Sequence, residues 1–331
     1  MKLPLGKVSP EILKSIVLEK SGSHSLKLLV KPKIGGNFSV VQLNSLFLLC
    51  TSDPITGVSK DIGWYAVNVS ANDIATSGAS PKFLQSVILL PEGSTESDLE
   101  KIAGDIDRAA KKIGISVTGG HTEIVKGLSS PIVTTTCYTI TKKYITSADA
   151  KKGDAIIMTK TAGIEGTSII AKSKKFSKGI PKSLLNKAAQ QLNMISVVKE
   201  AILAFRTGLV HSMHDPTEGG VVGGLSEMAE ASGIGFKIYR EKIPIAEETK
   251  TICKIKKIDP LFLISSGSLL VSVDPAGKEK IIKTLELNGV QATEIGEFTE
   301  SGRILVDEKG KENNISGSII DELWKMEKSE I

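Results

Sequence analysis

Aromatic residues, cysteines and long apolar runs are all scarce in this sequence of 331 residues. Phenylalanine, tryptophan and tyrosine make up 4% of the chain, so isoleucine, valine, leucine and alanine must fill its core. The three cysteines lie far apart and form no CxxC pair, which favours free buried thiols over disulfides or a metal cluster. No apolar stretch reaches ~18 residues, and the N-terminus lacks a signal-peptide pattern. We therefore expect a cytoplasmic protein without a membrane segment.

Signals for nucleic acid and for the common nucleotide-binding loops are also missing. The formal net charge is only +5, and both signs of charge are spread along the chain. No basic stripe with interleaved aromatics is present, so nucleic acid is not expected as a partner. Neither a GxxxxGK[ST] phosphate loop nor a GxGxxG after the first strand occurs. If the protein binds ATP, it must use another arrangement.

The length of the chain predicts two domains. A single hydrophobic core usually stops growing at ~250–300 residues, and this chain is longer. The stretch 142–153 is polar and rich in turn-forming residues, so we place the boundary there, with domains at 1–150 and 151–331. Strand-like and helix-like segments alternate in both halves, which indicates an α/β or α+β fold.

Local patterns place several elements. Short β-like runs occupy 26–52, and 61–78 has the apolar pattern of a helix. Thr95-Glu96-Ser97-Asp98 resembles a capping box that starts a second helix. Strands are predicted at 115–118 and 132–141, and a helix rich in small residues at 218–232.

The first candidate site is the segment 51–57, TSDPITG, which follows an apolar strand. A carboxylate such as Asp53 at the carboxyl end of a strand lies where α/β proteins bind ligands, and it suits Mg²⁺. Taken alone, the segment is more simply explained as an Asp-Pro turn that needs no ligand.

A second candidate is Asn72-Asp73 within the predicted helix at 61–78. Both residue types are unfavourable in a helix interior, and a buried aspartate needs a partner such as a metal. The alternative is that Asp73 lies on the solvent-facing side of the helix.

The third candidate is the stretch Gly119-Gly120-His121-Thr122-Glu123, after the predicted strand at 115–118. Two glycines allow the backbone to approach a ligand closely and to offer N–H groups to an anion. An imidazole and a carboxylate stand beside them. A single histidine is more often structural than catalytic, but the whole cluster is more specific than one residue.

The fourth candidate is the stretch 211–220, HSMHDPTEGG, which reads as a strand, a tight turn and a glycine-rich helix start. The N–H groups of a helix N-terminus attract phosphate. The glycines could instead serve close helix packing. His211 and His214 would face opposite sides of a strand, which argues against a zinc site.

The order and spacing of these motifs resemble a known family. The segments SDPITG, NVSANDIATSGASPKFL, GGHTE, MHDPTEGG and LISSGSLL together resemble the HypE-like branch of the aminoimidazole ribonucleotide synthetase superfamily. The resemblance runs from about Gly6 to about Val306. It implies an N-terminal domain whose sheet pairs with that of a second subunit in a homodimer, and a C-terminal α/β sandwich. ATP would lie between the domains, with acidic residues holding Mg²⁺ near its phosphates.

The same resemblance implies the roles of individual residues. Asp53 and Asp73 would hold Mg²⁺, and the catalytic candidates are Asp53, Asp73, His121 and Glu123. The residues expected to bind ATP in the same cleft are Asn37, Asn72, Gly119, Gly120, Asp215, Thr217, Gly219 and Gly220. The implied chemistry is phosphoryl transfer to an amide-like oxygen, or to selenide or a phosphate, in a small molecule or a partner protein.

Two departures from the family pattern limit the expected activity. Relatives have an acidic element where this chain has Asn37, so the site loses negative charge and should bind Mg²⁺ less tightly. HypE itself ends in a reactive cysteine, whereas this sequence ends in Lys-Ser-Glu-Ile at 328–331. We therefore do not expect the cyanide-forming reaction in that form, and the lack of an N-terminal reactive cysteine disfavours selenophosphate synthesis.

These departures leave two alternatives to an ATP-dependent enzyme. One is a non-catalytic HypE-like paralogue that acts as a maturation or scaffold protein. The other is an activity similar to that of thiamine-phosphate kinases.

Overall fold

Two β-sheets follow one another along the chain. The computed structural model describes residues 3, 6–20, 22–56, 58 and 60–329. The strands of the first sheet are β1 (Leu28–Val30), β2 (Ser39–Leu43), β3 (Leu46–Ile55), β4 (Phe83–Pro91), β5 (Ser116–Val125) and β6 (Ile132–Thr141). They are arranged in the order β1-β2-β3-β6-β4-β5, and only β4 and β5 run parallel to each other. Strand β5 therefore forms one edge of this sheet.

Two helices of the first half, α2 (Ile62–Ala75) and α3 (Glu96–Ile113), cover one face of this sheet, which we call the inner face. The N-terminal helix α1 (Pro10–Ile12) continues as a π-helical stretch over Leu13–Leu18 and contains no buried residue. Helix α3 begins at the predicted capping box, in which the Asp98 backbone N–H donates to the Thr95 side chain and the Thr95 N–H donates to Asp98. All 14 residues of α2 are buried, because this helix lies between the sheet, α3 and the second half of the molecule.

The second half forms a seven-stranded sheet with helices packed on it. Its strands are β7 (Ala155–Thr159), β8 (Val210–His214), β9 (Gly235–Tyr239), β10 (Leu270–Val273), β11 (Ala292–Thr299), β12 (Arg303–Val306) and β13 (Glu312–Asn314). The order is β13-β12-β9-β11-β7-β10-β8, and the pairing is antiparallel except between β12 and β9. Its helices are α4 (Ile164–Lys172), α5 (Lys182–Ala189), α6 (Val198–Arg206), α7 (Gly220–Ser232), α8 (Glu247–Lys256), α9 (Lys278–Leu287) and α10 (Glu322–Ser329).

Helix α2 joins the two halves along its length. Near its N-terminal end the Lys172 ammonium lies 2.8 Å from a carboxylate oxygen of Asp61. One turn further on, the Tyr65 hydroxyl lies 2.7 Å from the Ser168 hydroxyl. Both contacts are made with α4, so the α2 helix belongs to the packed interior of the whole molecule and not to one domain alone.

The fold confirms some of the elements predicted from the sequence and corrects one of them. The mixed α/β architecture is confirmed, and the helix predicted at 61–78 is α2. The strand predicted at 115–118 was too short, because β5 continues to Val125, so Gly119–Glu123 lie within a strand and not in a loop after it. Gly120 is required there, since a Cβ at this position would lie 1.8 Å from the Ser86 carbonyl oxygen. The predicted domain boundary stays a prediction.

Gly57 of the TSDPITG segment and residues 330–331 lie outside the described residues. Cys50, Cys137 and Cys253 carry free thiols, and the last two are buried. Within the described part of the chain, every helix is too short or too polar to cross a bilayer.

Candidate active site

Two carboxylates of the first domain meet on the inner face of its sheet. Thr51 and Asp53 lie on the second half of β3, and Asp73 lies in the last turn of α2, which covers them. The Thr51 hydroxyl lies 2.8 Å from Oδ2 of Asp73 and 3.2 Å from Oδ2 of Asp53. One hydroxyl thus bridges the two side chains that the sequence predicted as metal ligands.

A third carboxylate comes from the second domain. Asp215 directly follows β8 and is fully buried. Its Oδ1 accepts a hydrogen bond of 2.7 Å from Nδ2 of Asn37, and the same nitrogen lies 3.3 Å from Oδ1 of Asp73. Asn37, just before β2, therefore connects Asp73 with Asp215. We call Asp53, Asp73 and Asp215 the carboxylate cluster.

The carboxylate cluster carries unfavourable charge. Burial, together with the negative charges of Asp53 and Asp215, raises the pKa of Asp73 well above its usual range. Burial raises the pKa of Asp215 to about 7, although His214 opposes the shift. Oδ2 of Asp215 is buried and has no hydrogen-bond partner among the described residues. A cation or a hydrogen-bond donor supplied by a ligand would relieve both conditions.

A hydrogen-bonded chain leads from the cluster toward the surface. Nδ1 of His214 lies 2.5 Å from Oδ1 of Asn37, and its Nε2 lies 3.0 Å from Oε2 of Glu227 on α7. The other oxygen of Glu227 lies 3.2 Å from the Lys7 ammonium. Burial alone would raise the pKa of Glu227, but the positive charge of Lys7 and the bond to His214 lower it to about 2. Glu227 is therefore ionised and paired on both sides.

The residues present fit a divalent cation of limited protein coordination. No three His, Cys, Asp or Glu side chains within the described ranges surround a single point closely enough to enclose a metal. Mg²⁺ usually keeps several waters and is held by one or two carboxylates together with substrate phosphates. Asp53 and Asp73 provide such a pair, and the mutual repulsion that raises the pKa of Asp73 indicates where a cation would be favourable.

Asn37 is placed in the site, but its amide is turned away from the role of a ligand. Its nitrogen faces Asp73 and Asp215, while its oxygen faces His214. A neutral N–H donor thus lies between two carboxylates. The sequence placed Asn37 among the residues expected to bind ATP, and coordination of a cation by its amide oxygen would require the side chain to rotate.

Asn72 lies between the domains and not in the carboxylate cluster. Its Nδ2 donates to the Ile195 carbonyl oxygen at 2.9 Å, and its Oδ1 accepts from the Val197 backbone N–H at 2.8 Å. Because the side chain is fully buried and all these groups are paired, the contacts explain its presence in a helix interior. Its predicted role in ATP binding stays a prediction.

His121 and Glu123 lie on the outer face of the first sheet, away from the carboxylate cluster. The register pairs Asp53 with Thr135, which is buried on the inner face, whereas His121 pairs with Val87 on the opposite face. Strands β3 and β5 are also three strand spacings apart, or about 14 Å. Within one protomer these two exposed side chains contact each other, at 3.3 Å, and do not reach Asp53. Their predicted catalytic role stays a prediction.

The turn after Asp215 is held largely by the protein itself. The Gly219 backbone N–H donates to Oδ2 of Asp321 at 2.7 Å, so it is already paired. Gly220 has a φ of +63°, and a Cβ there would lie 2.5 Å from the Leu261 carbonyl oxygen. Thr217 accepts a hydrogen bond of 3.1 Å from the Lys7 ammonium. The Thr217 side chain therefore contacts the Lys7 ammonium at the end of this hydrogen-bonded chain.

Sequence reasoning missed Lys7, Glu227 and Glu165. Glu227 and Glu165 are acidic residues within buried, largely apolar helices, which was the available signal. Burial raises the pKa of Glu165 to about 7, a shift that the Ser266 side chain opposes and the nearby Asp321 and other carboxylates increase. Lys7 gave no signal, because nothing in its local sequence indicates a partner more than two hundred residues away.

Comparison with known proteins places this geometry in a family context. The model of the AIR synthase related protein N-terminal domain matches residues 35–141, and that of the C-terminal domain matches residues 151–308. A hydrogenase expression/formation protein of Methanocaldococcus jannaschii is 29% identical over 92% of this chain and 91% of its own length. The carbamoyl dehydratase HypE of Cupriavidus necator is 28% identical over 78% of this chain and 73% of its own length.

Solved structures share the fold at low sequence identity. A chain of a HypE–HypF complex has a TM-score of 0.77 and 22% identity, over 93% of this chain and 99% of that one. HypE in complex with ATP has a TM-score of 0.68 and 20% identity, over 96% and 97%. AaThiL complexed with AMPPCP and TMP has a TM-score of 0.74 and 20% identity, over 95% and 98%. At these identities the structural likeness shows the fold.

Proposed function

The chain belongs to the AIR synthase related family, and from this membership we propose that it is an ATP-dependent enzyme of the HypE type. The reaction we propose is transfer of the γ-phosphoryl group of ATP to an amide-like oxygen of the substrate. Relatives named carbamoyl dehydratase HypE and a HypE structure in complex with ATP support ATP-dependent chemistry of this type.

The observation that carries the proposal is the carboxylate cluster, which both domains build. Asp53 and Asp73 would hold Mg²⁺, and Asp215 faces them from the second domain. Mg²⁺ bound there would neutralise the phosphate charge that develops during transfer. Phosphoryl transfer needs positioning and charge stabilisation more than a protein nucleophile, and the cluster offers charged groups held by a buried hydrogen-bond network.

The proposed phosphoryl transfer forms one bond and breaks one bond. The amide oxygen forms a bond to the γ-phosphorus, the bond from that phosphorus to the β–γ bridging oxygen breaks, and ADP leaves. The former amide oxygen is then part of a good leaving group. In a later step the carbon–oxygen bond breaks and phosphate leaves, while either the nitrogen loses its protons and forms a carbon–nitrogen multiple bond or a nucleophile of the substrate bonds to the carbon. Asp215, a buried carboxyl whose pKa burial raises, lies beside this site and could hold a proton during this sequence.

Among the alternatives, the comparisons do not favour a non-catalytic paralogue. A kinase-like activity on thiamine monophosphate rests only on the likeness to AaThiL, which at 20% identity concerns the fold. Formation of ADP upon addition of thiamine monophosphate would support that activity, and its absence would leave the HypE-type proposal in place.

Isothermal titration with ATP tests the proposal directly. Wild type should bind ATP tightly only with Mg²⁺, and Asp53→Ala should lose about 10–100-fold in affinity because one charged ligand is gone. Asp107→Ala is the matched control, since Asp107 is an exposed aspartate paired with Lys111 on α3. Equal affinity of Asp53→Ala and wild type, or no binding by wild type, would overturn the proposed site.

We further propose that the partner of the first sheet is a second copy of this chain. The outer face of that sheet exposes Phe83 and Ile140, and Val117 and Ile124 are exposed on the edge strand β5. An open edge with exposed apolar side chains favours pairing with another chain. In such a dimer, His121 and Glu123 of the outer face would lie at the subunit interface.

A further inference from the structure

We propose that Lys7 binds the phosphate groups of the nucleotide, as the protein's own cation beside the carboxylate cluster. This inference rests on the proposed function, since it requires ATP to bind at that cluster. It adds a phosphate-binding residue from the N-terminal segment, which lies outside the matched family models.

The contacts of Lys7 leave it able to bind a ligand. Its ammonium donates to Oε1 of Glu227 at 3.2 Å and to Oγ1 of Thr217 at 3.1 Å. An ammonium group has three donors, so these two bonds leave one donor without a partner among the described residues. The side chain is 50% exposed, and the remaining donor can therefore be reached from solvent.

The position of Lys7 relative to the cluster follows from the hydrogen-bonded chain. Glu227 bonds to His214, His214 bonds to Asn37, and Asn37 bonds to Asp215. Burial would lower the pKa of Lys7, but the negative charges of Glu227 and Glu218 raise it, so Lys7 is charged. The proposal places the phosphate chain between the Asp53–Asp73 pair and this ammonium group.

Contacts with the second domain fix the backbone at Gly6 and Lys7. The Lys7 backbone N–H donates to Oε2 of Glu218 at 3.1 Å, and the Trp324 indole N–H donates to the same oxygen at 3.0 Å. Gly6 has a φ of +95°, and a Cβ there would lie 2.9 Å from the Trp324 ring. Glu218 and Trp324 thus hold the segment in a conformation that directs Lys7 toward Thr217.

The competing explanation is that Lys7 and Glu227 form an ion pair with a purely structural role. The two explanations predict different effects on ligand affinity. A pair between a half-exposed lysine and a glutamate contributes little stability in itself. A lysine that donates to phosphate forms a charge-assisted hydrogen bond, which matters only when a phosphorylated ligand is bound. The distinguishing quantity is therefore the affinity for ATP relative to that for adenosine, which lacks phosphates.

The test compares four full-length proteins in titrations with Mg²⁺-ATP and with adenosine. They are wild type, Lys7→Met, Lys7→Arg and the control Lys250→Met. Lys250 is 55% exposed and also pairs with a glutamate, but it lies on α8. Lys7→Met should bind ATP about 10–100-fold more weakly with unchanged affinity for adenosine, because one charge-assisted bond to phosphate is lost. Lys7→Arg should retain most of the ATP affinity, and Lys250→Met all of it.

Three results would overturn the inference in distinguishable ways. Wild-type affinity of Lys7→Met for ATP would remove Lys7 from the phosphate site while leaving the proposed function intact. Equal loss of affinity for ATP and adenosine would assign Lys7 a structural role, and a thermal melt of the same sample would show the accompanying loss of stability. Failure of wild type itself to bind ATP would remove both the proposed function and the role of Lys7.

Discussion

Nδ2 of Asn37 lies 2.7 Å from Oδ1 of Asp215, so an amide of the first domain donates to a fully buried carboxylate of the second. The same nitrogen also faces Asp73. At the position of Asn37, members of this family are expected to carry an acidic residue. A neutral donor therefore separates two carboxylates that would otherwise need a cation between them. The consequences of this substitution can be measured.

Replacement of Asn37 by aspartate should make folding depend on Mg²⁺. The variant loses both donor bonds and adds a carboxylate beside Asp73 and Asp215, so without metal it should lose about 2–4 kcal/mol of stability. Addition of millimolar Mg²⁺ should raise its melting temperature more than that of wild type, because a hard oxygen ligand has been added.

Asn193→Asp provides the control for this change, since Asn193 is exposed and its amide donates to Gln190 and not to the carboxylate cluster. It should melt as wild type does, with or without Mg²⁺. If Asn37→Asp were as stable as wild type without metal, the proposed electrostatic role of the Asn37 amide would be wrong.

Asn72→Ala should weaken the attachment of the two domains. The substitution leaves the Ile195 carbonyl and the Val197 N–H buried without their partner, at a cost of about 2–4 kcal/mol in the free energy of unfolding. Urea unfolding measures this loss, and Asn193→Ala should stay within ~0.5 kcal/mol of wild type. A variant as stable as wild type would show that water replaces the lost amide.

Glu165→Gln should reduce the dependence of stability on pH. In the folded protein the pKa of Glu165 is about 7, whereas the unfolded value is ~4.3. Between pH ~4.3 and pH about 7, Glu165 is ionised in the unfolded chain but still protonated in the folded protein. The free energy of unfolding therefore falls as the pH rises, by on the order of 1 kcal/mol per pH unit. Below pH ~4.3 the contribution of Glu165 to the free energy of unfolding is fully present, and it is lost once the pH has passed about 7.

Urea midpoints at pH 5, 6, 7 and 8 measure this effect. Glu165→Gln should show a smaller fall than wild type, while Asp215 and Asp321, whose pKa values burial raises to about 7, keep their own contributions. Glu247→Gln, at an exposed position of α8, should follow the wild-type curve. An unchanged slope for Glu165→Gln would mean that Glu165 is ionised in the folded protein at low pH.

Ile140→Glu should separate the proposed dimer. Ile140 is half-exposed on the outer face of the first sheet, and a charge there would be buried between two subunits. Sedimentation velocity at low micromolar concentration should show a dimer for wild type and a monomer for the variant. The control variant Leu287→Glu should remain dimeric, because Leu287 lies on α9, outside the first sheet, and is 77% exposed. A monomeric wild type would contradict the proposed interface.

Part of the candidate site could be predicted from the sequence because its residues follow recognisable local patterns. Asp53 follows an apolar run, and Asp73 interrupts an apolar helix; both lie where Thr51 bridges them. The pairing of Lys7 with Glu227 could not be predicted in this way, because it joins positions 220 residues apart that carry no local signal. Long-range polar contacts depend on how the domains pack, and one sequence does not reveal that packing.

The sequence by itself determined two helices and the family. The capping box predicted the start of α3, the apolar pattern predicted α2, and the ordered motifs indicated the family. Tertiary structure alone decided which predicted residues meet. On β5 the register shifts by one residue, so Leu84 pairs with Val117 but Gln85 pairs with Gly119. Since side chains alternate between the faces of a strand, this single bulge places His121 on the outer face, opposite to Asp53. A register shift depends on pairing with a neighbouring strand, which local sequence does not encode.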